Sequence, residues 1–164
     1  MDVISRRTYY DWILEGIAFL GLICAFLPLF YYNQLGDKKL IPTHYNMYGE
    51  IDGWEGRESL FVLALVVLLI YTGLLFTEKF YKKFNYPIKI KDKNATHIYR
   101  TGIRLQRHLR ALIMIFFAYL NISGLMVGLG KCSGASGFII ILFPICLLGL
   151  LIFFCIQMYA YREE

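Results

Sequence analysis

Apolar residues run almost without interruption through four stretches of this chain: about Trp12 to Tyr32, Leu60 to Phe80, Leu109 to Leu129 and Phe138 to Tyr159. None shows the alternation of a half-buried strand. Each is close to the roughly 20 residues a helix needs to cross roughly 30 Å of hydrocarbon. Aromatic residues cluster at their ends (Tyr9, Tyr10 and Trp12; Tyr31 and Tyr32; Phe80 and Tyr81; Tyr159 and Tyr161), where amphipathic rings favour the headgroup level. The pattern predicts an all-α membrane protein: one domain over residues 1–164, built from four transmembrane helices. The first run follows Arg6 and Arg7 but is long for a signal peptide and ends in Pro28, Tyr31 and Tyr32, so it reads as a retained span.

Between the second and third spans lies a basic segment, 81–108. Within it Thr96 to Arg110 reads as an amphipathic helix, with Ile98, Leu105, Leu109 and Leu112 on one face and Arg100, Arg104, Arg107 and His108 elsewhere. The expectation is a short basic helix lying in the interface before the third span, against anionic headgroups.

Composition agrees with the pattern. Of 164 residues 58% are hydrophobic and 17% aromatic, and the mean hydropathy is +0.53. A soluble domain of this size cannot bury that much apolar surface. The net charge of +5 is concentrated at one set of loops, which argues against nucleic-acid binding. Arg6 and Arg7, ten Lys and Arg residues from Lys79 to Arg110, and Arg162 lie on one side. Lys38, Lys39, Arg57 and Lys131 lie on the other. Thirteen against four places both termini and the basic loop in the cytoplasm of a plasma-membrane protein. Asn94-Ala95-Thr96 matches a glycosylation sequon but falls on that cytoplasmic side. The four cysteines, Cys24, Cys132, Cys146 and Cys155, form no metal-ligand or disulfide spacing.

Glu15 lies about a turn inside the first span, where a carboxylate is costly. The sequence favours a structural ion pair with Arg6, Arg7 or a basic residue of the second loop over a proton relay. Gly124 and Gly128 stand at GxxxG spacing, which permits close helix packing, inside the chain by default and in a homodimer as an option.

The outward loop, 33–59, is the least generic segment. Loops of this length are uncommon unless functional or disordered. It carries Pro42, His44, Asn46, Gly49, Glu50, Asp52 and Gly53, then Trp54. One imidazole, one amide and two carboxylates within nine residues leave three readings open. His44 and Asn46 could hydrogen-bond the loop into a lid with Asp52 capping a turn. The loop could recognise a ligand or peptide. Or His44 with Asp52 or Glu50 could hold a divalent cation or act as general base. The first is the expectation. No cofactor is predicted beyond that cation option, since catalytic zinc wants three protein ligands and His97 and His108 fall across the membrane.

The run P-x-H-Y-N-x-x-G-E-x-D-G-W followed by a span resembles the domain-of-unknown-function 1648 family of small bacterial membrane domains. Asn85, Tyr86, Pro87, Ile88, Lys89 and Ile90, with Asn94 and Tyr99, also resemble its stand-alone members. One such domain begins the immunity membrane protein that protects producers of a sporulation-delaying toxin, ahead of a further membrane domain. The resemblance implies motif positions Pro42, His44, Asn46, Gly49, Asp52 and Gly53. It also implies a non-enzymatic role in sensing, binding or immunity at the outer face. A metal-dependent membrane enzyme and a small transport component or complex subunit are the alternatives. No Walker loop, Rossmann fingerprint, HExxH or GxSxG is present.

Overall fold

The computed structural model describes residues 7–36 and 39–162; Arg6 and Lys38, two members of the charge tally, lie outside them. Among the described residues four long helices carry the fold: α1 Tyr9–Phe30, α2 Ser59–Thr77, α3 Ala95–Gly128 and α4 Gly137–Tyr159. All four are long and apolar enough to cross a membrane. The loop between α1 and α2 is not irregular. It folds into an antiparallel hairpin of β1, Leu40–Tyr45, and β2, Ile51–Gly56.

α1, α2 and α3 pack around a core of small and branched residues that includes Ala18, Ala25, Val67, Met114 and Ala118. Small residues let helix backbones approach where lipid supplies no hydrophobic drive. At Gly21 a Cβ would come within 3.0 Å of the Met114 backbone, so this crossing of α1 and α3 depends on glycine. α4 stands apart, packed on α3 with Phe143 stacked on Phe116 at 3.9 Å between ring centroids. Only Phe154 and Met158 of α4 are buried. Most of its other residues are apolar and half-buried or exposed, as suits a helix with one face toward lipid.

The expected interfacial helix is not a separate element. Residues 95–128 form one continuous helix of 34 residues, about 50 Å at 1.5 Å per residue. Only part of that length can lie in hydrocarbon. The expected polarity of its first half is corrected as well. Arg107 and Arg110 point into the bundle and are almost fully buried, because acidic side chains of α1 and the end of α2 meet them there. With that pairing available, and no proline between Thr96 and Arg110, the helix has no reason to break.

The two ends of the bundle differ. One holds the hairpin and the α3–α4 connection. The other brings together the start of α1, the α2–α3 segment and the end of α4. There the Tyr10 hydroxyl lies 2.8 Å from His108 Nε2, and His97 stacks on Tyr161. Asn94 is buried, with Oδ1 accepting from Lys91 N at 2.8 Å and Nδ2 donating to Tyr161 O at 3.2 Å.

Candidate functional site

Two places concentrate polar chemistry: the hairpin, which the sequence singled out, and a buried ionic cluster at the opposite end, of which the sequence showed Glu15 and its candidate basic partners.

The hairpin is seated by apolar contact. Ile41 at its base packs with Leu35, Leu60 and Leu125, joining the end of α1, the start of α2 and the end of α3. Arg57 ties the same corner, donating from Nη1 to Leu35 O at 2.7 Å and lying 4.5 Å from the centre of the Tyr32 ring. Gly124 and Gly128 form the floor. A Cβ at 128 would meet Ile41 Cδ1 at 2.5 Å, and one at 124 would lie 3.6 Å from Pro42 O. The GxxxG face offered as a homodimer surface is thus covered within the chain by β1.

The tip is seated by backbone. Gly49 has φ +84°, a left-handed value that costs other residues about 1–2 kcal/mol. It also lies against the α3–α4 connection: a Cβ there would be 2.6 Å from Gly137 N and would overlap Ala135 O. Asn46 shapes the turn. Its Oδ1 accepts from Tyr48 N at 2.9 Å and Glu50 N at 3.0 Å, and its Nδ2 donates to Glu50 Oε2 at 2.8 Å. This is an Asx turn with a second closure. The capping task therefore falls to Asn46, and Asp52 does something else.

Asp52 pairs with His44: Asp52 Oδ1 meets His44 Nδ1 across the strands. The ladder explains how. Pro42 pairs Trp54, His44 pairs Gly53, and Tyr45 pairs Ile51, so Thr43 is an extra residue on β1 and Asp52 an extra residue on β2. Bulges re-aim side chains, and here one brings the carboxylate to the imidazole. Gly53, opposite His44, makes the space: a Cβ at 53 would lie 2.9 Å from His44 Cβ.

Of the seven motif residues, Pro42, Asn46, Gly49 and Gly53 set shape, and Glu50 is held by Asn46. His44 and Asp52 form a dyad whose side chains are 73% and 47% exposed. The same hairpin exposes Leu40, Met47, Tyr48 and Trp54. Among the described residues no group of three or more His, Cys, Asp or Glu side chains could hold a metal ion. Beneath the hairpin, Tyr45 places a buried hydroxyl without a partner. Burial, with Cys132 and Tyr119 nearby, pushes that phenol up to about 12.

At the other end, Arg110 is wholly buried and pairs with Glu15 and, at 3.3 Å, with Glu78. Arg107 pairs with Asp11 at 2.9 Å and with Glu78. The Tyr71 hydroxyl donates to Glu15 Oε1 at 2.8 Å, and Arg7 lies 3.8 Å from Glu15. Asp11 also closes the N-terminal cap of α1, accepting from Thr8 N at 2.7 Å. Three carboxylates thus face two buried guanidinium groups and one flanking one. The expected ion pair of Glu15 is present, widened into a network. Arg7 and Arg110 are among the partners the sequence offered to Glu15; Asp11 and Glu78 were missed, and Arg107 was read as part of an exposed basic face. The legible signal was three acids at matching ends of two spans, facing arginines spaced i, i+3 on a third.

Residues 19–69 match the family described as Domain of unknown function (DUF1648). The match takes in the second half of α1, the whole hairpin and the first half of α2, and it supports the resemblance carried by the motif. The seat of the hairpin tip, Gly134 to Gly137, lies outside it. No curated protein and no solved structure matches the chain.

Proposed function

We propose that this protein sits in the cytoplasmic membrane with both termini inside, and that its outward hairpin is a non-enzymatic recognition element for an amphipathic peptide or protein segment, serving sensing, binding or immunity. The orientation is supported by the thirteen-to-four basic asymmetry and by the shared end of the start of α1, the end of α4 and the α2–α3 segment. The basic stretch around residues 79–104 then faces anionic headgroups.

The observation that carries the recognition reading is the His44–Asp52 dyad. A polar pair sits exposed on a hairpin locked at both base and tip, which also exposes Tyr48, Met47 and Trp54. A pre-ordered platform that loses little entropy on binding favours affinity, and exposed aromatics together with charge suit an amphipathic partner.

A photoreactive benzoylphenylalanine at Tyr48, introduced in the producing cells, tests this. The reading expects a discrete adduct that fades in His44→Ala and Asp52→Asn backgrounds and is absent with the probe at lipid-facing Val62. No discrete adduct at 48, or one indifferent to both substitutions, would sink it. One observation favours a second reading. Asp52 on Nδ1 orients His44 with Nε2 available for proton transfer, the arrangement of a general base. Turnover that disappears in Asp52→Asn, with the hairpin intact, would select it.

A further inference from the structure

α2 and α4 flank α3 without closing on each other, and toward the end of α2 this leaves a cleft of about 520 Å³. Leu74 of α2, Leu105 of α3, and Leu151 and Cys155 of α4 form its apolar walls. Gln106 borders it too, but its amide is buried against α2, with Nε2 donating to Leu74 O at 3.1 Å. Residues 84–87 form the rim. Most of them belong to the stretch 85–90, the second part of the sequence that resembles family members, and the hairpin at the opposite end of the bundle makes no use of it. The rim is clamped to α3 and α4. Tyr86 sits on Gly102, where a Cβ would lie 2.7 Å from the Tyr86 ring, and its hydroxyl donates to Tyr81 O at 2.8 Å. Ile88 is buried with Ile98 and Met158. Asn85 is left exposed on this fixed rim, and among the described residues its amide makes no hydrogen bond.

Depth and charge narrow the occupant. The rim follows the turn Glu78–Lys83, where the apolar run of α2 gives way to Lys79, Lys82 and Lys83. Leucine walls offer water no partners, so an acyl chain fills the cleft and its headgroup lies at the rim. The charge there has one sign. Lys79, Lys82, Lys83, Lys89, Lys91 and Lys93 are all exposed, against one exposed acid, Asp92. Glu78 is already taken by Arg107 and Arg110. Lys82 and Lys83 come directly before the rim residues 84–87 in sequence. A zwitterionic headgroup brings a further ammonium to these lysines, whereas an anionic headgroup brings only the phosphate they attract.

We infer that the α2–α3–α4 cleft seats one anionic phospholipid, with an acyl chain between α2 and α4 and its phosphate at Lys82, Lys83 and Asn85. This rests on the reading that the basic stretch faces anionic headgroups, and turns that diffuse attraction into a single site. The full-length protein in phosphatidylcholine nanodiscs tests it with two trace probes, phosphatidylglycerol and phosphatidylcholine, each carrying the same diazirine-bearing acyl chain. Photolabel from phosphatidylglycerol should concentrate on Leu105, Leu151 and Cys155 over the exposed Val62 and Ile145. Phosphatidylcholine should label the cleft roughly tenfold less, a ratio within reach of two lysines near one phosphate. Both lysines are exposed, so Lys82→Gln with Lys83→Gln leaves the fold intact and should bring the two probes level. Even labelling of the cleft, Val62 and Ile145, with phosphatidylglycerol still preferred, would overturn the site and leave the diffuse attraction standing. Equal labelling by the two lipids in the wild type would overturn both. A preference for phosphatidylglycerol in the cleft that survives the double lysine variant would overturn the assignment of its phosphate.

Discussion

Gly49 and Gly137 meet backbone to backbone. A Cβ at position 49 would lie 2.6 Å from Gly137 N, and one at 137 would lie 2.7 Å from the Tyr48 carbonyl carbon. The motif glycine thus locks the hairpin tip onto the connection between α3 and α4. Gly49→Ala meets the left-handed penalty of about 1–2 kcal/mol and an overpacking cost of about 1–3 kcal/mol. The expected outcome is a lower unfolding midpoint together with faster chymotryptic cleavage after Tyr48. Gly73→Ala, where a Cβ meets nothing, should cost nothing and gain up to about 1 kcal/mol of helix propensity.

Removing one member of the buried ionic network should be worse than removing several. Arg110→Met leaves Glu15 and Glu78 without their shared cation, and breaking a buried pair this way costs about 3–5 kcal/mol. Adding Glu15→Gln should restore part of that loss. Unfolding in SDS–detergent mixtures measures both. Equal damage from the single and double variants would mean that Arg110 acts by packing alone.

Alkali should loosen the hairpin from its seat. Burial raises the Tyr45 phenol from 10 to about 12. A folded value above the unfolded one means stability fully present below pH 10 and lost as pH climbs through about 12. Trp54 fluorescence in a Trp12→Phe background should report the change, and Tyr45→Phe should blunt it. Because the Tyr45 hydroxyl has no partner, that variant should be no less stable at neutral pH.

The GxxxG face gives a fourth test. Gly124 lies under Ile41 and Pro42, so Gly124→Cys should yield no disulfide-linked dimer in membranes under oxidising conditions. A crosslinked dimer would require the hairpin to leave its seat.

The four apolar helices were legible because hydrophobic length is a one-dimensional property. The hairpin was not: Pro42 sits within β1 and proline argues against strands, and two bulges spoil the alternation that would have marked Leu40–Tyr45 and Ile51–Gly56. The motif residues were legible as a group, yet their roles were not. Asn46 and Asp52 exchange the expected tasks because a bulge, invisible in the sequence, turns Asp52 toward His44. The first half of α3 was misread for a related reason. Its arginines look like a solvated face until Asp11, Glu15 and Glu78 arrive from other helices, a pairing that only tertiary structure supplies.

Every functional reading of the His44–Asp52 pair depends on which side of the membrane the hairpin occupies. With Cys24, Cys132, Cys146 and Cys155 replaced by serine, single cysteines at Glu55 and Lys93 can be challenged with a membrane-impermeant maleimide on intact cells. Glu55→Cys should be labelled at once, and Lys93→Cys only after permeabilisation. Labelling of Lys93→Cys on intact cells with Glu55→Cys protected would put the hairpin in the cytoplasm and contradict the account.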